Sequence, residues 1–441
     1  MERESRVTGL NAPLPTNATR RTFLRGGLTA FAAAVVTRHL AACGDDDAIT
    51  PPVDGGTDTG VPDLATAPDM GVTEFPMRDI PAPAPLRSLI ADIGPLAADP
   101  DANGVRLPAG FTSRVVARSG QMVEPSLYEW HNFPDGGATF ATEDGGWIYV
   151  SNSEVPVVGG VGAIRFNTDG TIRTAYRILP RSQVNCAGGP TPWHTWLSGE
   201  EISRGRIWEC DPWGELPPVP RLALGIFKHE AAAVDHDRGH LYLTEDERDG
   251  CFYRFVPART RPDGRPDLGE GSLELAVVAI DGAVTWAEVP DAQFTGTLAT
   301  RDQVATATHF NGGEGIWYRE GFVYFTTKGD SRVWKYDVVA ANIEVLYDGE
   351  TAADPMLRGV DNITLSAGGD VLVAEDGDDM QIVAILPTGE LRAIMQITGQ
   401  PLSEVTGPAF DPSGTRLYFS SQRGGDGGLT YEITGPFHEP L

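Results

Sequence analysis

The chain reads as an all-β protein built from six repeated units, a β-propeller with an insertion between its third and fourth units. Three observations carry this reading. No long amphipathic helix follows residue 85; short apolar runs separated by Gly, Asp and Pro fill the sequence instead. The 52 glycines and 34 prolines require many turns. Finally, an apolar run ending in polar residues recurs: Trp147–Glu154, Thr195–Glu201, Leu241–Asp246, Phe322–Asp330, Val371–Asp376 and Leu417–Gln422. With Asn152, Glu200, Glu245, Lys328, Glu375 and Gln422 taken as equivalent points, the steps are roughly 45–48 residues, except for one of about 83. That spacing suits a four-stranded propeller blade. The long step places the insertion within about Val256–Ala307.

The segments before the repeats have other uses. Thr19-Arg-Arg-Thr-Phe-Leu-Arg25 has the form of a twin-arginine export signal, and the apolar run Gly26–Val36 after it is too short to span a membrane. Leu40-Ala-Ala-Cys43 has the form of a lipoprotein cleavage box. Residues 1–42 are therefore expected to be signal, and Cys43 to carry a lipid that ties the protein to a membrane. Residues 43–85, poor in large apolar side chains and rich in Pro, Asp, Gly and Thr, are expected to form a flexible tether. The propeller would occupy 86–441, in the periplasm or cell envelope. Nothing in the chain sets an oligomeric state. The formal charge of -27 argues against nucleic acid as a partner and suits the binding of hard cations. Lipidation would leave Cys186, Cys210 and Cys251; in an oxidising compartment Cys210–Cys251 is the expected pair, with Cys186 left to bind metal.

A second set of residues precedes most of the repeated strands by one hairpin: Asp135-Gly-Gly, Glu230-Ala-Ala, Glu314-Gly-Ile and Asp361-Asn-Ile. In a hairpin, the start of the first strand and the end of the second share an edge. Glu230 should then neighbour Glu245, and Asn362 should neighbour Glu375. Repeated around a ring, this gathers carboxylates at one mouth of the central channel, where they repel unless cations are bound. Calcium suits oxygen ligands. Cys186 is the odd donor, at the head of Asn185-Cys-Ala-Gly-Gly-Pro-Thr-Pro-Trp-His-Thr-Trp-Leu-Ser-Gly-Glu-Glu201; a thiolate prefers a softer ion such as iron or zinc. Lys328 and Arg332 would attract an anionic substrate such as phosphate. His229-Glu230 begins like a zincin motif, but the second His position is Ala233. There is no Walker loop and no Gly-x-Ser-x-Gly elbow.

Together these residues resemble the PhoX-type alkaline phosphatase family. The resemblance extends through His229-Glu-Ala-Ala-Ala-Val-Asp235, Phe252-Tyr-Arg-Phe-Val-Pro257, Gly312-Gly-Glu-Gly-Ile-Trp-Tyr318, Thr326-Thr-Lys-Gly-Asp330, Ala374-Glu-Asp376 and Ser403-Glu-Val-Thr-Gly-Pro408. It implies a six-bladed propeller whose channel mouth holds iron and calcium and hydrolyses phosphate esters. By motif match it implies that Cys186 binds iron. Glu201, Glu230, Glu245, Asp246, Glu314, Asn362, Glu375 and Asp376 would bind iron or calcium, and Lys328 and Arg332 would hold the phosphate. The chain departs from the family pattern at Gly199, where Cys is usual, at His194, where Gly is usual, and at Ser153, where His is expected. Two other functions fit an acidic propeller: a calcium-dependent lactonase, which needs neither the thiolate nor the Lys–Arg pair, and a ligand-binding propeller without catalysis.

Overall fold

A computed structural model describes residues 75–352, 355–377, 379–425 and 427–441. The expected export signal, Cys43 and the tether up to residue 74 lie outside the described residues. Within them the structure is β throughout, with four short 3-10 turns and no α-helix. Six antiparallel sheets, each with four or five strands, form the blades. Their innermost strands are Pro134–Ala141, Asn185–Pro190, His229–Asp235, Gly313–Arg319, Val360–Leu365 and Val405–Phe410. These six neighbour one another in sequence order, and the last returns to the first, so the ring is closed.

Closure is made by pairing the two ends of the domain. The outer strand of the sixth blade is Thr112–Arg118, from before the first blade, paired with Leu429–Thr434. Val105–Arg106 likewise adds a fifth strand to the fifth blade. The expected insertion is present: the third blade gains an extra strand, Val284–Glu288, and the chain then runs through Thr300–Gln303 before the fourth blade begins. The chain packs on the propeller ahead of the expected start at residue 86. Phe75 is buried, and Arg78 lies over the Trp213 ring and bonds Asp211 at 3.1 Å.

The apolar runs follow from this arrangement. Each blade is sandwiched between two others, so both faces of its strands are buried and the runs are continuously apolar. Trp147 and Tyr149 face a cluster shared with the sixth blade, while Ile148 and Val150 face one shared with the second. Six such clusters fill the six spaces between blades. This packing corrects the expected disulfide. Cys210 lies between the first and second blades and Cys251 between the second and third, and both are free thiols. Burial pushes the Cys251 thiol far above its ordinary range.

Near the axis the blades touch through backbone. A Cβ on Gly189 would lie 1.7 Å from the Ala232 carbonyl oxygen of the next blade. His194, where the family has Gly, sits at φ 65 in the turn after that strand; His enters this left-handed region more readily than most side chains. Gly189→Ala should therefore destabilise the protein by about 1–3 kcal/mol through overpacking, read as a lower melting temperature with no change in metal content.

Candidate metal centre at the channel mouth

One register device, repeated around the ring, builds the site. At the mouth, inner and second strands pair as Pro134 with Ser153, Asn185 with Glu200, His229 with Glu245, Gly313 with Thr327, and Val360 with Glu375. Immediately after each pair the inner strand carries one extra residue. Such bulges bend a strand and re-aim a side chain. The residues that follow the pairs are Asp135, Cys186, Glu230, Glu314 and Asp361. In the sixth blade the slip comes one residue later, and Thr406 holds the corresponding place; that blade supplies its acid from Glu404 instead. On the second strands the residue just past the pair is Glu154, Glu201, Asp246, Lys328, Asp376 or Gln422.

These positions converge in three trios, the ligand atoms of each lying within 4.8 Å of one another: Glu154–Cys186–Glu201, Asp135–Glu154–Glu404 and Glu230–Glu314–Asp361. All eight residues are buried, and Glu154 belongs to two trios. Neutral side chains hold them in place. Asn152 donates to the Cys186 and Ala187 carbonyls at 3.1 and 2.8 Å, and its own oxygen accepts from Trp196 Nε1 and Ser198. Gln422 donates to Asp135 and Glu154. Asn362, expected as a ligand, donates to Asp361 at 2.9 Å and accepts from the Gly407 amide at 2.6 Å, so it orients a carboxylate of a trio.

The structure separates the paired acids that the spacing treats together. Side chains alternate along a strand, so consecutive acids point opposite ways. Glu201 enters a trio, while Glu200 turns to Ser182 and Arg206. Asp246 reaches two lysines, while Glu245 accepts from Tyr253 at 2.6 Å, the Cys251 amide and Arg301. Asp376 lies 3.9 Å from Lys328, while Glu375 accepts from the Arg358 and Gln381 amides. Glu245 and Glu375, expected as ligands, thus fasten the turn after their strand. Arg332 is held by Asp330 at 2.8 Å and Asp348 at 3.1 Å, not at the trios. Repeat spacing alone does not mark Asp135, Glu154, Asp361 or Glu404 as ligands; the bulges that turn Asp135 and Asp361 inward, and the contacts that bring Glu154 and Glu404 to them, are properties of strand pairing and packing.

The mouth carries a large excess of acid. Lys228 lies 3.1 Å from Glu201, Lys328 2.6 Å from Glu314, and Arg423 3.1 Å from Glu404. Among the described residues, the seven carboxylates of the trios, with Asp246 and Asp376, thus outnumber Lys228, Lys328 and Arg423. Burial raises Asp135 to about 7 and Glu314 to about 8. Burial, and then the charge of neighbouring acids, pushes Glu230, Asp361 and Glu404 well up. Asp246 behaves oppositely: burial works to raise it, but Lys328 and Lys228 outweigh that and hold it below the usual range. Both carboxylate oxygens of Glu230, and one of Glu404, are buried without a hydrogen-bond partner. An ionised carboxylate left so costs several kcal/mol. This donor set fits bound cations: hard ions at the all-carboxylate trios, a softer one at the trio containing Cys186. At Gly199 a Cβ would lie 2.6 Å from the Glu230 carbonyl oxygen, so this backbone leaves no room for the Cys usual in the family.

Comparison with known proteins agrees with the resemblance read from the motifs. The family model for alkaline phosphatase PhoX matches residues 162–211 and 205–345. The structure of Pseudomonas fluorescens PhoX in complex with vanadate, a transition-state analogue, superposes with a TM-score of 0.63 at 19% identity, over 78% of this chain and 97% of that one. A gluconolactonase from Xanthomonas campestris aligns with a TM-score of 0.42 at 14% identity, over 81% of this chain and 99% of its own. A calcium-binding regucalcin from Agrobacterium tumefaciens aligns at 0.40 and 15%, over 75% of this chain and 97% of its own. No curated protein sequence matches the chain.

The acids bear on pH. Carboxyls raised to about 7 and about 8 keep their protons in the folded chain after the unfolded chain has lost its own. Their contribution to stability is complete below the ordinary carboxylate range and is lost as pH rises through the folded values. Chelated protein should therefore melt progressively lower from about pH 5 to about pH 8. Added calcium should restore the melting temperature, and more so at the higher pH, where fewer protons compete for the ligands. Thermal melts with and without chelator check this; a calcium effect equal at both pH values would contradict it.

Proposed function

We propose that the mouth is the active site of a metal-dependent phosphatase of the PhoX type, acting on phosphate monoesters. The single observation that carries this reading is a cysteine sulfur, that of Cys186, lying within 4.8 Å of carboxylate oxygens of Glu154 and Glu201 among the other buried acids of the mouth. The family match over the central blades and the shared propeller support alkaline phosphatase activity.

Iron would be held by Cys186, Glu154 and Glu201, and calcium by the trios Asp135–Glu154–Glu404 and Glu230–Glu314–Asp361. Bound there, such ions supply a Lewis acid for the phosphoryl oxygens and lower the pKa of a water molecule. The protein's own residues fix the geometry in advance. Asn152 anchors the Cys186 bulge, and Gln422 and Asn362 clamp carboxylates of the other two trios. Lys328, largely buried at the rim, can offer its ammonium to phosphoryl oxygens, a contact strengthened by its sheltered setting. A calcium-only lactonase would have no use for Cys186. Export by the twin-arginine route, a lipid on Cys43 and a place in the periplasm or cell envelope complete the proposal.

Two measurements test it. Purified protein should contain iron together with calcium and hydrolyse p-nitrophenyl phosphate. Cys186→Ser should lose the iron, any thiolate-to-iron absorption band and at least about 100-fold in turnover, while keeping its fold, because packing alone does not require the sulfur. Full iron content in that variant would overturn the assignment. Separately, mass spectrometry of the mature N-terminus should find a lipid-modified Cys43; an unmodified chain beginning elsewhere would refute the anchor.

A further inference from the structure

The three trios share one electrostatic feature. Each has a cationic side chain on one of its carboxylates: Lys228 on Glu201 at 3.1 Å, Arg423 on Glu404 at 3.1 Å and Lys328 on Glu314 at 2.6 Å. The three come from different blades. Lys228 directly precedes the inner strand of the third, Lys328 directly follows the second strand of the fourth, and Arg423 lies two residues beyond that of the sixth. We infer that these side chains are counter-ions of the metal-free mouth and become the phosphate contacts once cations occupy the trios. This rests on the phosphatase reading above.

Charge repulsion drives the exchange. When a multivalent cation takes a carboxylate, an ammonium or guanidinium a few ångströms away faces like charge in a poorly screened setting. It must withdraw or find an anion. All three side chains can move, being 26%, 17% and 20% exposed on long flexible stems. Their exposed ends reach solvent, from which a substrate phosphoryl group would arrive. Lys228 and Lys328 already flank one point, reaching the same Asp246 oxygen at 3.5 and 3.8 Å. A phosphate monoester presents several anionic oxygens and can engage more than one cation. Arg332, the partner expected for Lys328, has no cause to swing: Asp330 and Asp348 hold it, and neither belongs to a trio.

The test uses the full metal-loaded protein and inorganic phosphate as the probe. By calorimetry, Lys228→Gln, Lys328→Gln and Arg423→Gln should each weaken phosphate binding about tenfold or more, as expected for loss of a charged hydrogen bond, with iron and calcium contents unchanged. Arg332→Gln should stay within about twofold, since the bonds it removes go to Asp330 and Asp348 and not to phosphate. In chelated protein each of the three substitutions should lower the melting temperature, because removing a cation adds to the repulsion; in metal-loaded protein the same variants should melt with the wild type. Unchanged phosphate affinity in the three, or a loss at Arg332 alone, overturns the phosphate role. Unchanged melting after chelation overturns the counter-ion role. Wild-type protein that neither binds phosphate nor hydrolyses p-nitrophenyl phosphate sinks the phosphatase reading itself, and the chelated melts still decide the counter-ion half.

Discussion

The mouth depends on one backbone constraint. In five blades the inner strand gains a residue at the same place, directly after its first pair with the second strand. An unbroken ladder would alternate these side chains between neighbouring blades, as it does farther along each strand. The added residue instead turns Asp135, Cys186, Glu230, Glu314 and Asp361 toward a shared space. Charge density at the mouth is therefore a consequence of strand register before it is one of composition.

Holding so many acids together opposes folding, and the opposing force is spread around the ring. Six apolar clusters, one between each pair of blades, hold the inner strands at fixed spacing. Close approach of backbone at Gly189 and the closing strand Thr112–Arg118 leave the ring little freedom to open and relieve the repulsion. A rigid scaffold that cannot relax keeps buried carboxylates in want of cations, and Glu230, with both oxygens unpartnered, expresses that most plainly.

Neutral amides occupy the places where a further charge would raise the cost. Asn152, Asn362 and Gln422 each bridge an acid or a bulge to a neighbouring element. An amide both donates and accepts, so it can fix a carboxylate without adding to the field. The same economy separates the consecutive acids: one of each pair faces the mouth, while Glu200, Glu245 and Glu375 accept hydrogen bonds from Ser182 and from the Cys251 and Arg358 amides.

The sequence by itself determined the number of blades, the place of the insertion and the end of the ring at which acids collect. Those features are written in repeat spacing and in apolar runs, which depend on local composition. It also marked Cys186, Glu201, Glu230 and Glu314, because a thiol or an acid where a strand needs neither stands out along the chain. Only the tertiary structure decided which member of each acidic pair faces inward, because strand alternation makes a one-residue error a change of face. It brought Asp135, Glu154, Asp361 and Glu404 into the trios through bulges and contacts between blades. It moved Arg332 to Asp330 and Asp348 and placed Lys228 and Arg423 beside the acids. It also kept Cys210 and Cys251 apart, since they serve different blade interfaces. Each of these outcomes rests on register or on packing between distant segments, and neither is a property of any short stretch of residues.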